Sequence, residues 1–88
     1  MVSVKEAVER AGKFAQEVLG TTRTDDLRLE ETEAGKFGSE DVWFITLSMP
    51  PLETLLGALR GRQYKTFAVS RQTGEVFSMK IREIAGTE

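Results

Sequence analysis

Residues 3–20 read SVKEAVERAGKFAQEVLG, and this stretch decides the fold class. Its apolar residues recur at the three- and four-residue spacing of one helical face, with charged residues between them. Ser3 followed by Glu6 is a capping-box pattern, and Gly20 supplies a position for left-handed backbone at the other end. The stretch predicts an amphipathic helix over about 3–19, whose apolar side must cover another element.

Four segments with alternating apolar and polar residues predict strands over about 27–32, 42–49, 64–70 and 75–83. The two glycines within residues 33–40 predict a loop between the first two strands. Sequential strands with short connections favour an antiparallel meander. We therefore expect an α+β fold, with the N-terminal helix packed on one face of a four-stranded antiparallel sheet.

A leucine-rich segment follows the second predicted strand. Pro50-Pro51 ends that strand, because proline cannot donate to a ladder of backbone hydrogen bonds. The leucines that follow have the spacing of a short amphipathic helix over about 52–60. The predicted order of elements is therefore α-β-β-short α-β-β.

A chain of 88 residues is expected to form one hydrophobic core. We therefore treat residues 1–88 as a single domain. The predicted core combines the apolar side of the helix with the inward side of each strand. Its members are Val4, Val8, Ala11, Ala15, Val18, Leu27, Leu29, Trp43, Ile45, Leu47, Phe67, Val69, Phe77, Met79 and Ile81.

The chain contains neither cysteine nor histidine. Disulfides, thiolate or imidazole metal sites, Ser-His-Asp relays and Cys-His pairs are thereby excluded. Glu30, Glu31 and Glu33 are candidates for acid–base chemistry, but no apolar pocket is predicted around them, so a solvated acidic edge is the simpler interpretation. We expect no catalytic residues, no cofactor and no metal.

No apolar stretch has the length of a membrane span or of a signal-peptide core. The longest, Val42 to Leu47, is interrupted by Thr46 and has the length of a strand. We expect a cytoplasmic protein that has no membrane partner.

Charge is distributed unevenly along the chain. Residues 25–41 hold seven acidic and two basic residues, whereas residues 60–82 hold six basic residues and one acidic residue. The basic hairpin could bind nucleic acid or an acidic partner, or the two halves could pair across neighbouring strands. Because the net charge of the chain is −2, nucleic acid is the least favoured partner.

Two surfaces are candidates for partner binding. The leucine-rich segment either caps one end of the sheet or docks a partner. The sheet face away from the helix is more apolar than solvation requires, and it could be a plain surface or a two-fold dimer interface. The candidate partner-binding residues on these surfaces are Phe44, Tyr64, Leu52, Leu55, Leu56, Arg60 and Arg62.

The closing hairpin, with Thr73-Gly74-Glu75-Val76 at its turn, resembles that of PepSY-type domains. The order of elements and the helix start at Glu6-Ala7 fit the same family. Such domains are similar to cystatins in laying one helix across a curled antiparallel sheet. Where the family usually has Asp, this chain has Ser70, so a hydroxyl replaces one turn-capping carboxylate. The resemblance implies a regulatory or peptidase-inhibitory binding module with no catalytic residues.

The sequence thus favours a non-enzymatic module that binds a protein partner, in a regulatory or peptidase-inhibitory role. Two alternatives stay open. One is a small structural homodimer that associates through the open sheet face. The other is a weak nucleic-acid binder that uses the basic 60–82 hairpin.

Overall fold

The computed structural model describes residues 1–20, 26–49 and 63–82. The sheet has the strand order β1-β2-β3-β4 with every neighbouring pair antiparallel, and α1 packs on one of its faces. The predicted α+β class and antiparallel meander are therefore confirmed. The elements are α1 (Val4–Leu19), β1 (Arg28–Phe37), β2 (Glu40–Met49), β3 (Gln63–Ser70) and β4 (Val76–Arg82).

The helix begins and ends where its sequence predicts. The Ser3 hydroxyl accepts a hydrogen bond from the Glu6 amide at 3.1 Å, and the Glu6 carboxylate accepts one from the Ser3 amide at 3.2 Å. These two bonds satisfy two of the amides that a helix N-terminus leaves free. Gly20 follows the last turn with a positive φ of 90°, although its ψ of 155° is extended rather than left-handed helical.

The buried side of α1 is a stripe of alanines. Ala7, Ala11 and Ala15 are 0 % exposed, whereas Val4 and Val18, both predicted core residues, are 36 % and 52 % exposed. The prediction was wrong for these two valines because the helix is rolled so that its smallest side chains meet the sheet. Methyl side chains allow the backbones to approach closely, and larger side chains then pack along the sides of the contact. Those partly buried side chains are Val8, Phe14 and Leu19.

The sheet contributes four buried residues to the core beneath α1. They are Ile45 and Leu47 on β2, and Phe67 and Val69 on β3. The ring of Phe14 meets that of Phe67 edge to face, with 6.3 Å between the centroids. Among the other predicted core residues, those at the margin of this cluster are Val8, Leu27, Trp43 and Met79.

Strand β1 is longer than predicted. It continues through residues assigned to a loop and reaches Phe37, so that only Gly38 and Ser39 lie between β1 and β2. Gly38 has φ of 66° and Ser39 has no positive φ, which is the pattern of a type II′ hairpin turn. Continuous pairing with β2 holds residues 33–37 extended, although their own preference for strand is weak.

The outer strands carry two predicted core residues that are in fact exposed. Leu29 on β1 is 52 % exposed and Ile81 on β4 is 75 % exposed. Both strands are edges of the sheet, and Ile81 pairs with Lys65 near the end of its strand. Side chains at these margins extend past the cluster that α1 covers, so they contribute little to the core.

Phe77 is the fifth predicted core residue that the structure places elsewhere. A bulge lies between Ala68 and Val69: Val69 pairs with Val76, and Ala68 pairs with Ser78. Phe77 is the extra residue between these two pairs, and its ring leaves the helix side to stack on Phe37. A bulge inverts the alternation of side chains, so the regular pattern assigned Phe77 to the wrong face.

The β3–β4 turn is fixed by Ser70. Its hydroxyl accepts hydrogen bonds from the amides of Gln72 and Thr73, each at 3.1 Å. Its backbone pairs with Glu75 and Gly74, and Gly74 has φ of 83°. The hydroxyl therefore caps the turn.

Replacing this serine, Ser70→Ala, should lower the free energy of unfolding by about 1 kcal/mol, because two turn amides lose their acceptor. Chemical denaturation of the purified chain measures this difference. Ser39→Ala, in the exposed β1–β2 turn, is the control and should change the free energy little. Equal losses in the two variants would show that the Ser70 hydroxyl does not stabilise the turn.

The remaining strand bounds agree with the prediction to within two residues, the largest difference being the start of β2 at Glu40, and position 83 lies outside the described residues. The predicted short helix at 52–60 also lies outside them, with the candidate residues Leu52, Leu55, Leu56, Arg60 and Arg62. Across the described ranges, no helix has the length and apolarity needed to cross a membrane.

Candidate functional site

The face of the sheet away from α1, called the open face below, presents an ordered set of side chains. The strand register places alternate residues of β1, β2, β3 and β4 on it, and the bulge adds Phe77. Its members are Arg28, Glu31, Glu33, Gly35, Phe37, Glu40, Val42, Phe44, Thr46, Ser48, Tyr64, Thr66, Ala68, Ser70, Phe77, Ser78 and Lys80.

Two phenylalanines from opposite edges of the sheet meet over one end of the open face. The rings of Phe37 on β1 and Phe77 on β4 stack with 5.9 Å between centroids and 22° between planes. Since β1 and β4 are three inter-strand spacings apart, about 14 Å, both side chains must lean inward over the central strands. We call this pair the aromatic bridge. Val42 and Ser70, on the central strands at this end, are 0 % and 2 % exposed.

A third phenylalanine lies on the same face. A Cβ atom added to Gly35 would stand 2.6 Å from Cε2 of Phe44, so the ring occupies the space that a side chain on Gly35 would need. Glycine at this position therefore lets the Phe44 ring lie against the backbone of β1. The three rings come from β1, β2 and β4, and none belongs to the core beneath α1.

A groove of about 240 Å³ runs between β1 and the central strands of the open face. Glu31 and Glu33 form one wall, and the Phe44 ring forms another side. The hydroxyls of Thr46 and Thr66, also in the lining, share a hydrogen bond of 3.0 Å. Carboxylates beside an aromatic ring suit a cation carried on an aliphatic stem.

The two edges of the open face differ in charge. On the β1 edge, Glu31 and Glu33 are exposed, and the bulge residue Glu30 accepts a hydrogen bond from the Ser48 hydroxyl at 2.6 Å. On the β4 edge, Lys80 is exposed. The face therefore carries the carboxylates of Glu31 and Glu33 on β1, aromatic and small side chains in the middle, and Lys80 on β4.

A separate corner ties the N-terminus to the sheet. The Val2 amide donates to the Arg71 carbonyl at 2.7 Å, and the Trp43 indole donates to the Val2 carbonyl at 3.0 Å. The Arg71 guanidinium lies 4.7 Å from the centroid of the Trp43 ring. Nearby, a hydrogen bond from Lys36 lowers the pKa of the Asp41 carboxyl, with a smaller contribution from the charge of Arg71. These contacts hold the first residues of the chain against the sheet.

A second groove, of about 270 Å³, lies between α1 and the β3–β4 turn. Its charged residues are of both signs, and the Arg10 guanidinium lies over Gly74, 3.2 Å from where a Cβ would be. Because this groove is shallow and carries charges of both signs, its lining indicates no particular class of ligand. The lining residues are Arg10, Lys13, Phe14, Glu17, Gly74, Glu75 and Val76.

Two of the predicted partner-binding residues are described, and both lie on the open face. Phe44 and Tyr64 are half-buried there, on neighbouring strands. Sequence reasoning missed the aromatic bridge and Gly35, because the bulges and the long β1 strand were not predicted. Regular alternation from Phe77, Met79 and Ile81, which were all predicted to lie in the core, would place Val76 on this face. Val76 instead pairs with Val69 and packs against the core.

The bases of the 60–82 hairpin do not form one patch where their side chains are described. Lys65 is buried at 8 % exposure, Arg71 lies on Trp43, and Lys80 is exposed on the open face. Among the described residues, no group of three or more carboxylates lies close enough together to hold a metal ion.

Neither a protein-family model, nor a curated protein, nor a solved structure matches this chain. The resemblance to PepSY-type domains therefore stays a prediction.

Proposed function

We propose that this chain is a non-enzymatic protein-binding module whose open face contacts the partner. The observation that supports this most directly is the convergence of Phe37, Phe44 and Phe77 on the side of the sheet that α1 does not cover. A chain this small gains stability from each aromatic ring in its core. Three rings outside the core therefore favour a role in binding rather than in stability. Aromatic residues at the centre of a polar surface are typical of protein interfaces.

The rest of the open face fits contact with a protein better than it fits catalysis. The groove is open to solvent along the exposed Glu31 and Glu33. Acid–base chemistry usually requires carboxylates that are buried or closely coupled to other charges. A regulatory or peptidase-inhibitory module needs no such group, because it acts by occupying a surface of its partner.

A photo-reactive residue in place of Ser78, at the rim of the open face, should give a covalent adduct of defined mass in cells that produce the chain. The same residue in place of Gln16, which is exposed on α1, is the control and should give no such adduct. Gel migration and mass spectrometry of the adduct provide the measurement. Equal labelling at both positions, or no adduct at Ser78, would refute the open face as the contact surface.

A further inference from the structure

We propose that β1 is a pairing edge, to which an extended segment of another protein, rich in lysine or arginine, adds as a fifth strand. This inference goes beyond the proposed function, because the contact is made by the backbone of an edge strand rather than by the rings of the open face. It is carried by the exposure of β1, by its regular pairing with β2 and by its charge.

Strand β1 is the most exposed strand of the sheet. All of its ten residues are exposed except Gly35, which is half-buried. None of them belongs to the core cluster of the described residues, because α1 packs over β2, β3 and β4. The sheet order makes β1 an edge. In an edge strand, alternate backbone amides and carbonyls point away from the sheet, where they can bond a further strand.

The two edges of the sheet differ in how well they resist pairing. Bulges and outward lysines are the usual features that protect an edge strand. Strand β4 has both, because Phe77 forms a bulge and Lys80 is exposed. Strand β1 pairs with β2 without interruption over its last seven residues, and its bulge lies before them. Its one lysine, Lys36, makes an ion pair of 2.8 Å with Asp41, which holds that charge toward β2. The edge of β1 is therefore the better template for an added strand.

The charge of β1 determines which partner fits. Three glutamates lie at positions 30, 31 and 33, and residues 29–35 include no basic residue. Opposite charges on facing residues of neighbouring strands stabilise the pairing. Glu33 is exposed and pairs across the sheet with Phe44, whose ring lies against the backbone of β1. A lysine or arginine that faces Glu33 from a fifth strand would meet both the carboxylate and the ring.

A second copy of β1 fits this edge poorly. Consider antiparallel pairing of two β1 strands with both α1 helices on the same side of the joined sheet. A two-fold axis through any of residues 31–34 then sets Glu31 or Glu33 of one copy opposite or diagonal to the same carboxylates of the other. Like charges in these positions are destabilising. Moving the axis toward Phe37 relieves the repulsion but shortens the paired stretch.

Hydrogen exchange measured by NMR on the full chain tests the proposal. The probe is a seven-residue peptide of alternating lysine and threonine with blocked ends, and its control alternates glutamate and threonine. At up to about 1 mM, the lysine peptide should slow exchange severalfold at alternate amides of residues 32–37, those that point away from β2. The glutamate peptide should slow none of them.

Two variants separate strand pairing from general attraction between a basic peptide and an acidic chain. In about 0.15 M salt, charges more than about 8 Å apart are largely screened. Glu33→Lys should then weaken binding of the lysine peptide by about fivefold or more, because an attractive pair becomes repulsive. Glu9→Lys, exposed on α1, changes the net charge equally and should leave the affinity nearly unchanged. Titration followed by NMR shifts measures both affinities, and circular dichroism verifies that both variants fold.

N-methylation of the lysine peptide gives a measurement that depends on no variant. Methyl groups on one alternate set of peptide amides block the edge that pairs with β1, whereas those on the other set lie on the outer edge. One methylated peptide should therefore lose binding, and the other should retain it.

The proposal would be overturned by a lysine peptide that slows no exchange in β1, or by equal effects of Glu33→Lys and Glu9→Lys. Retention of binding by both methylated peptides, or its loss by both, would also overturn it. Slower exchange of the same amides as the concentration of the chain alone rises would identify a second copy as the occupant and overturn the basic partner. An adduct at Ser78 without any effect at β1 would overturn only the pairing edge and leave the proposed function intact.

Discussion

The Phe67→Ala variant is expected to lose a large part of its stability. Phe67 is 0 % exposed on the central strand β3, and its ring meets that of Phe14 beneath α1. Truncating a buried phenylalanine costs about 3–5 kcal/mol, through lost burial and the cavity that remains. A chain of this length has a total free energy of unfolding of only about 4–13 kcal/mol. Chemical denaturation should show a transition at much lower denaturant than in the wild type.

Phe37→Ala is the matched control, because it removes the same atoms from the aromatic bridge on the open face. Phe37 is 37 % exposed, so its truncation should cost far less than that of Phe67. If the two variants lost the same free energy of unfolding, the aromatic bridge would be part of the core. The distinction between a helix-side core and an open face for binding would then be wrong.

The elements that were predicted correctly are those whose signals are local. The capping box of Ser3 and Glu6, the helical period up to Leu19 and the alternation in residues 42–49 each depend on residues close in sequence. The sheet order follows from the same information, because short connections leave antiparallel neighbours as the simplest arrangement. These features could be derived without knowing any contact between distant parts of the chain.

The errors arise where one strand decides the conformation of another. Phe77 alternates regularly with Met79 and Ile81 in the sequence, yet the bulge opposite Ala68 and Val69 turns its ring to the open face. Between Glu75 and Arg82 the sequence contains no glycine or proline that would indicate the bulge. Residues 33–37 show the same limit, because pairing with β2 makes a strand of a segment in which only Phe37 favours strand conformation.

The candidate site was predictable only in part for the same reason. Phe44 and Tyr64 could be assigned to the open face, since they lie on strands with regular alternation. The aromatic bridge joins the two edge strands, and the groove joins Glu31 and Glu33 to side chains of β2 and β3. Both depend on the register of strands far apart in sequence.

The Ala11→Leu variant is expected to lose about 1–3 kcal/mol of unfolding free energy, although leucine is more apolar than alanine and nearly as good a helix former. Ala11 is 0 % exposed and lies between Ala7 and Ala15 on the line where α1 approaches the sheet. A longer side chain there must lift the helix or displace its neighbours in the core. Thermal or chemical denaturation measures the loss.

Gln16→Leu, on an exposed position of the same helix, separates packing from helix propensity and should leave the stability almost unchanged. If Ala11→Leu were instead as stable as the wild type, space would exist beneath α1 and the alanine stripe would not set its distance from the sheet. Close approach along that stripe is also what leaves Val4 and Val18 in solvent. A tolerated leucine would therefore remove the physical reason for their exposure, and the helix would be free to roll toward the face that its sequence predicts.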